Sequence, residues 1–154
     1  MNISIRAFRA SDLDAVIALF EGAVRQIASR DYSAEQIDAW VQIDREDWQQ
    51  KFQQSECWLV IRHGEIAGFG NVESDGHLDM LFIHPEHQRC GVATALLKWL
   101  ELQLVKMGIP VIFTEASITA KPFFTRQGFQ LIEAQQVSVR GQSFINYKLH
   151  KVLI

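Results

Sequence analysis

The sequence predicts a mixed α/β domain, and three observations carry that prediction. Segments with helical spacing alternate with β-prone segments in the order β, helices, βββ, α, β, α, ββ. No repeat, low-complexity tract or linker divides the 154 residues, so residues 1–154 are expected to form one domain around a single core. Apolar residues make up 48% and charged residues 21%, a globular balance.

Taken in order, Ile3, Ile5 and Phe8 predict a first strand, ended by the polar turn at 9–12. Leu13, Val16, Ile17, Phe20, Val24 and Ile27 recur along one helix face, with Ser11 or Asp12 as the N-cap. Ser33-Ala34-Glu35-Gln36 is a capping box for a short helix carrying Ile37 and Trp40. Asp44 starts another helix through Trp48 and Phe52. From residue 57 the texture changes. Residues 57–61 are β-prone, His63-Gly64 is a turn, 65–72 is the next strand, and Ser74-Asp75-Gly76 leads into a strand at 77–83. Ala93, Leu96, Leu97, Leu100, Leu104 and Met107 repeat the helical stripe, which Gly108 stops. Residues 109–113 are short and continuously apolar, which predicts a strand buried on both faces. Pro122 opens a short helix over 121–127 ended by Gly128. Strands at 129–133 and 143–149, joined through Arg140-Gly141, close the domain.

Composition excludes several classes of function. The net charge is −3, from 15 basic and 18 acidic residues, with no cationic cluster, so no nucleic-acid partner is expected. Cys57 and Cys90 form no disulfide framework, which fits a reducing compartment. The first residues alternate polar and apolar, unlike an export signal. No window approaches the ~18 apolar residues of a membrane span. A cytoplasmic protein without a membrane partner is expected. His84-x-x-His87-x-x-Cys90 offers nitrogen and sulfur ligands, but its spacing matches no standard zinc pattern, and no metal is expected.

The stretch FIHPEHQRCGVATALLKWL, residues 82–100, carries the chemistry. A strand runs through a histidine-rich turn into a glycine and then an apolar helix. A helix N-terminus offers unpaired N–H groups and a partial positive charge, and with Gly91 and Ala93 in the first turn no large side chain blocks them. A phosphate fits there. The segment has neither GxxxxGK[ST] nor GxGxxG spacing; it has Gln88-x-x-Gly91-x-Ala93 after His84-Pro85-Glu86-His87.

That pattern resembles the cofactor motif of the GNAT superfamily of acyl-CoA-dependent N-acetyltransferases. Further along, Ala116-Ser117, Ala120-Lys121-Pro122-Phe123-Phe124 and Gly128-Phe129 are similar to the superfamily's other signature. Both occur in the expected order, so the resemblance spans nearly the whole chain. Tyr32-Ser33-x-Glu35-Gln36-x-x-Ala39-Trp40 and Glu115-Ala116-Ser117 running to Lys121-Pro122 resemble the YafP-like branch.

The resemblance implies a GNAT-like fold, a mostly antiparallel central sheet flanked by helices. It implies transfer of an acetyl group from acetyl-CoA to an amine, on a small molecule or a peptide, by direct attack on the thioester. The amides of Arg89, Cys90, Gly91, Val92 and Ala93 would hold the pyrophosphate, after Gln88, with Thr94 adding a hydroxyl. The preceding strand, splayed from its neighbour, would pair Leu81, Phe82 and Ile83 with the pantetheine arm. Leu81 N–H is the expected oxyanion donor. Ser117, Phe123 and Phe124 belong to the same cofactor site. Tyr32, Gln36 and Trp40 are expected at the acceptor. Many members carry Phe-Tyr where this chain has Phe123-Phe124, the tyrosine protonating the leaving thiolate; here water or Ser117 must serve. That departure raises a second reading, a CoA-binding module without catalysis. Many relatives pair through their C-terminal strands, so the resemblance leaves a homodimer open without fixing the oligomeric state.

A lysine-like amine has a pKa of ~10.4, so exposing its lone pair at pH 7 costs about 4–5 kcal/mol. A base or water relay is therefore expected. Strand periodicity puts His77, Asp79 and Leu81 on one face. Asp79 is the first candidate, as base or as clamp on the ammonium; His77 has the better-matched unperturbed pKa, and Glu73 comes third. Phe123, Phe124 and Phe129, like Trp48 and Phe52, also read as packing residues.

Overall fold

The computed structural model of the chain describes residues 2–154. The first strand, β1 (Ile3–Ala7), is followed by a 3-10 turn at Ala10–Asp12 and helix α1 (Leu13–Gln26). Asp12 holds this bend together without capping α1 through its side chain. Its carboxylate accepts from Arg6 Nη1 at 2.8 Å and Nη2 at 2.9 Å, and from the Arg9 N–H at 2.8 Å. The fork of Arg6 holds the Asp12 carboxyl below its ordinary range, against the opposing effect of burial.

Helix α2 (Ala34–Trp40) starts at the expected capping box: Ser33 Oγ accepts from Gln36 N–H at 3.1 Å, and Gln36 Oε1 accepts from Ser33 N–H at 2.8 Å. Helix α3 (Arg45–Gln54) is capped by Asp44, which accepts from Asp47 N–H. Strands β2 (Glu56–Arg62), β3 (Glu65–Val72) and β4 (Leu78–Ile83) form the meander. Helix α4 (Val92–Lys106) leads to β5 (Val111–Ser117), and α5 (Lys121–Arg126) to β6 (Gln130–Val139) and β7 (Gln142–Val152).

The strands form two antiparallel sheets, β1-β2-β3-β4 and β5-β7-β6. One parallel rung, His77 opposite Phe113, joins them. There the chain passes so close to β5 that a Cβ on Gly76 would lie 2.2 Å from Val111 O, and its φ of 98° suits only glycine. Beyond that rung β4 and β5 diverge. The expected mostly antiparallel sheet thus splits between β4 and β5, where the splay was expected, and the split positions the site.

A separate apolar core fills each side. Helices α1, α2 and α3 cover one, through Val16, Phe20, Val24, Ile37, Trp48 and Phe52 against Leu59 and Phe69. On the other, α4 and α5 pack Leu96, Leu97, Leu100, Leu104 and Phe124 against Val60, Ala67, Leu78 and Ile112. No helix among the described residues is long and apolar enough to cross a membrane.

Three expectations need correction. β5 starts at Val111 and is buried on one face only: Ile112, Thr114 and Ala116 are inside, while on the other face Phe113 stacks on His77 and Glu115 and Ser117 line a cavity. Its apolar beginning masked the polar residues that follow. β6 and β7 are longer than expected, because β6 is an exposed edge strand whose Glu133–Gln136 stretch needs no alternation. Met107, placed on the apolar stripe, is 42% exposed at the C-cap of α4.

Candidate active site

The segment between β4 and α4 is a cradle of main-chain donors. Arg89 (φ 58°) and Gly91 (φ 78°) both take left-handed backbone, which turns successive N–H groups inward ahead of the helix. The first helical bond runs from Ala95 N–H to Gly91 O. Among the described residues, the N–H groups of 89–94 have no protein acceptor. Gln88 fixes the loop from behind, donating through Nε2 to Ile83 O at 3.0 Å. Cys90 Sγ donates to Gln88 O at 3.3 Å, and Thr94 Oγ1 accepts from Gln127 Nε2 at 3.4 Å. This chemistry suits a phosphate group bound by amides.

β4 leads into that cradle. The His84 N–H donates to Ala67 O on β3. Antiparallel alternation then turns the main-chain groups of Phe82 toward β3, and those of Leu81 and Ile83 toward the β4–β5 gap. Further back, Leu78 O accepts from Thr114 Oγ1 at 2.8 Å, on the side where the sheets still touch.

A register shift between Asn71 and Val72 makes Asp79 an extra, bulged residue, since Asn71 pairs with Met80 and Val72 with Leu78. The bulge overturns the expected shared face of His77, Asp79 and Leu81. Asp79, Met80 and Phe82 line a cavity on the α1–α3 side, whereas Leu81 and Ile83 pack toward α4.

That cavity holds about 350 Å³. Phe20, Tyr32, Trp40, Trp48, Phe82 and Phe144 wall it; Asp79, Glu115, Ser117 and Asn146 make its polar end. The aromatic wall is closely packed: Phe20 meets Phe82 edge-on at 4.9 Å and Trp48 at 4.9 Å, and Tyr32 meets Trp40 at 5.4 Å. The Tyr32 hydroxyl accepts from Ile118 N–H at 2.9 Å and reaches Ile145 O at 3.4 Å; burial pushes its pKa up.

At the polar end, Asp79 Oδ2 lies 3.4 Å from Lys51 Nζ and accepts from Asn71 Nδ2 at 3.3 Å. His77 sits between two carboxylates, with Nδ1 2.5 Å from Glu73 Oε1 and Nε2 2.7 Å from Glu115 Oε1. Burial disfavours the imidazolium, but bonds to Glu73 and Glu115 and the charge of Asp79 outweigh it, and the pKa of His77 is raised.

Other expected site residues fall elsewhere. Gln36 is outside the cavity: its Oε1 serves the capping box and its Nε2 donates to Ser143 O at 2.7 Å. Phe124, 4% exposed, is a core ring edge-on to Phe129 at 5.0 Å, with the half-buried Phe123 beside it. Ser117 lines the cavity and accepts from Ala120 N–H at 3.0 Å. Val92 is buried under the loop, and its side chain serves the α4 core. His84, His87 and Cys90 take separate partners: His84 Nδ1 accepts from Glu86 N–H, His87 bridges Arg62 and Glu65, and Cys90 turns to Gln88. Sequence reasoning missed Glu115, Asn146 and Phe144 as cavity residues. Alternation along β5 would have found Glu115, had the strand been carried past Phe113.

Comparison with known proteins agrees with this geometry. The profile of the acetyltransferase (GNAT) domain family matches residues 28–151. The uncharacterized N-acetyltransferase YafP of Escherichia coli K12 is 42% identical over 146 residues, covering 95% of this chain and 93% of that protein. Among solved structures, a GCN5-related N-acetyltransferase (aminotransferase, class-II) from Rhodopseudomonas palustris superposes with a TM-score of 0.95 at 25% identity, over 99% of this chain and 96% of that one. The PaiA N-acetyltransferase of Thermoplasma acidophilum, solved with coenzyme A, shares the fold at 19% identity and a TM-score of 0.82, over 99% of each chain. A split sheet, a donor loop opening α4 and a match over most of the sequence lead to one conclusion: the chain belongs to the GNAT family of acetyltransferases.

Proposed function

We propose that residues 1–154 act as one acetyltransferase domain that moves the acetyl group of acetyl-CoA to a primary amine, by direct attack on the thioester. The observation that carries this reading is the run of acceptor-free N–H groups at 89–94, at the end of a strand whose Leu81 and Ile83 groups face an open gap. The amides of Arg89 to Ala93 hold the pyrophosphate, Thr94 adds its hydroxyl, and Leu81 N–H points at the thioester carbonyl. When bound, acetyl-CoA supplies the activated acyl group. Ser117 lies where its hydroxyl can serve the departing sulfur, and Phe124 has no proton to give. Gln88 acts by pinning the loop.

The cavity is the acceptor site. Its aromatic wall suits an apolar body, and Asp79 serves as clamp on the ammonium. Arg140 is the one cation among the lining residues, and its Nη1 donates to Ala39 O at 2.7 Å. Thiol release from acetyl-CoA across a panel of amines tests the reading, alongside calorimetric titration with CoA. Turnover should favour primary amines with an apolar body over small polar ones. CoA binding without turnover on any amine would leave a binding module, and no CoA binding would end the proposal. A homodimer along the open edge of β6, where Leu131 and Ile132 are exposed, belongs to the same reading and is tested by sedimentation.

A further inference from the structure

The side chains clustered around His77 and Asp79 carry more negative charge than the cations paired with them balance. Asp79 has its own partner in Lys51, so that pair is neutral. Lys148, opposite Glu115 on β7, pairs with Glu133 instead, at 3.2 Å. Asp75 faces the main chain of His77, accepting its N–H at 3.0 Å. Glu73 and Glu115 therefore share one imidazolium. Within the group Lys51, Glu73, His77, Asp79 and Glu115 one negative charge is left over, and Arg140, the cation on the cavity wall, pairs with none of these carboxylates but donates to Ala39 O, so an ammonium beside Glu115 would balance it.

The two glutamates open to different places. Glu115 lines the acceptor cavity. Glu73 lines a separate hollow beside α3, with Asp47 and Lys51, and its side chain is 46% exposed. His77 bridges them, stacked on Phe113 at 5.1 Å. With both nitrogens engaged as donors the imidazolium has no lone pair, so His77 is not itself the base. It holds Glu115 Oε1, while the second Glu115 oxygen has no partner within the chain among the described residues.

We propose that Glu115 takes the acceptor's proton, with His77 as the positioning residue that aims it. This rests on the acetyl-transfer reading above. The acceptor R–NH3+ gives one proton to the free oxygen of Glu115 and becomes R–NH2. The nitrogen lone pair forms the N–C bond as the C–S bond of the thioester breaks. A second nitrogen proton goes to the departing sulfur, giving amide and thiol. The proton on Glu115 leaves to solvent along its exposed edge, so one proton is released per turnover.

The test is the pH profile of kcat/KM with two primary amines of different pKa, over a window that starts below the ordinary glutamate value of ~4.3 and runs into the alkaline range. The wild type should show an acid limb that stays in place when the amine is changed. Glu115→Gln should lower kcat at pH 7 by about 100-fold, remove that limb and leave acetyl-CoA affinity unchanged, which also reports a folded protein. Glu115→Asp, shorter but still a carboxylate, should keep the limb at reduced kcat. His77→Gln should move the limb, which a purely structural loss would not do. Asp79→Asn should raise the amine KM more than it lowers kcat. Glu115→Gln within about threefold of wild type with its limb intact, or Asp79→Asn alone erasing the limb, overturns the assignment while leaving acetyl transfer standing. A wild type that releases no thiol with any amine removes both readings together.

Discussion

Replacing Gly91 by alanine separates backbone strain from ligand grip. At φ 78° and ψ 5° the residue sits in the left-handed region, where a Cβ costs about 1–2 kcal/mol. For a chain of this size that is a fall in Tm of roughly 2–8 °C. If the loop relaxes to escape the strain, the Gly91 and Val92 amides rotate out of the array. Losing two bonds to a charged ligand, at about 1.5–3 kcal/mol each, should weaken CoA binding by roughly 10²–10⁴-fold. Calorimetric titration with CoA and a thermal melt read the two effects separately. Gly108→Ala is the control: its φ is 77°, an added Cβ would meet nothing within 4 Å, and it lies at the far end of α4. It should lose a similar margin of stability and keep full CoA affinity. If Gly91→Ala melts lower yet binds CoA as the wild type does, the amide cradle is not where the diphosphate sits.

Trp40→Ala removes an edge-on partner of Phe20, Tyr32, Phe82 and Phe144. It should cost about 3 kcal/mol of stability and raise the amine KM at least about tenfold, with CoA affinity unchanged. Cys90, half-buried in the donor loop, should react with iodoacetamide and be protected by saturating acetyl-CoA. Cys57, whose thiol burial pushes up to about 12, should react only after unfolding, as peptide mapping would show. Asp12→Asn should cost about 1–3 kcal/mol at pH 7. Because the folded pKa of Asp12 is lowered, that stability is present above its unfolded value of ~3.9 and is lost as pH falls through the folded one. The Tm gap between wild type and variant should therefore close in strong acid.

Much of this was legible in the residues, and the limits have physical causes. The capping box at Ser33 and the Asp44 cap came through because they are local: residues three apart satisfy one another's main chain. The donor loop was legible for the same reason, Gly91 being the one residue that takes its φ without strain. The face of Asp79 was not, because an unpaired residue in β4 shifts the two-residue rhythm and no feature of the HLDMLFI stretch marks it. Glu115 was missed because the apolar start of β5 suggested burial on both faces, whereas one face opens on a cavity built from distant helices. The position of Gln36 depended on β7, more than a hundred residues away, whose carbonyl at Ser143 claims the amide.

The helices that wall the cavity and the helix that opens at the donor loop lie on opposite sides of the β1–β4 sheet. On the proposed reading, the amide loop that would take the acyl donor and most of the aromatic wall that would take the amine lie on opposite faces of one layer of strands. Substitutions among α1, α2 and α3 can remodel what the cavity admits without disturbing α4 or the amides ahead of it. If the cavity takes the amine as proposed, such a layout would let a lineage trade one amine for another by changing side chains on a single flank, the carrier's berth staying as it was.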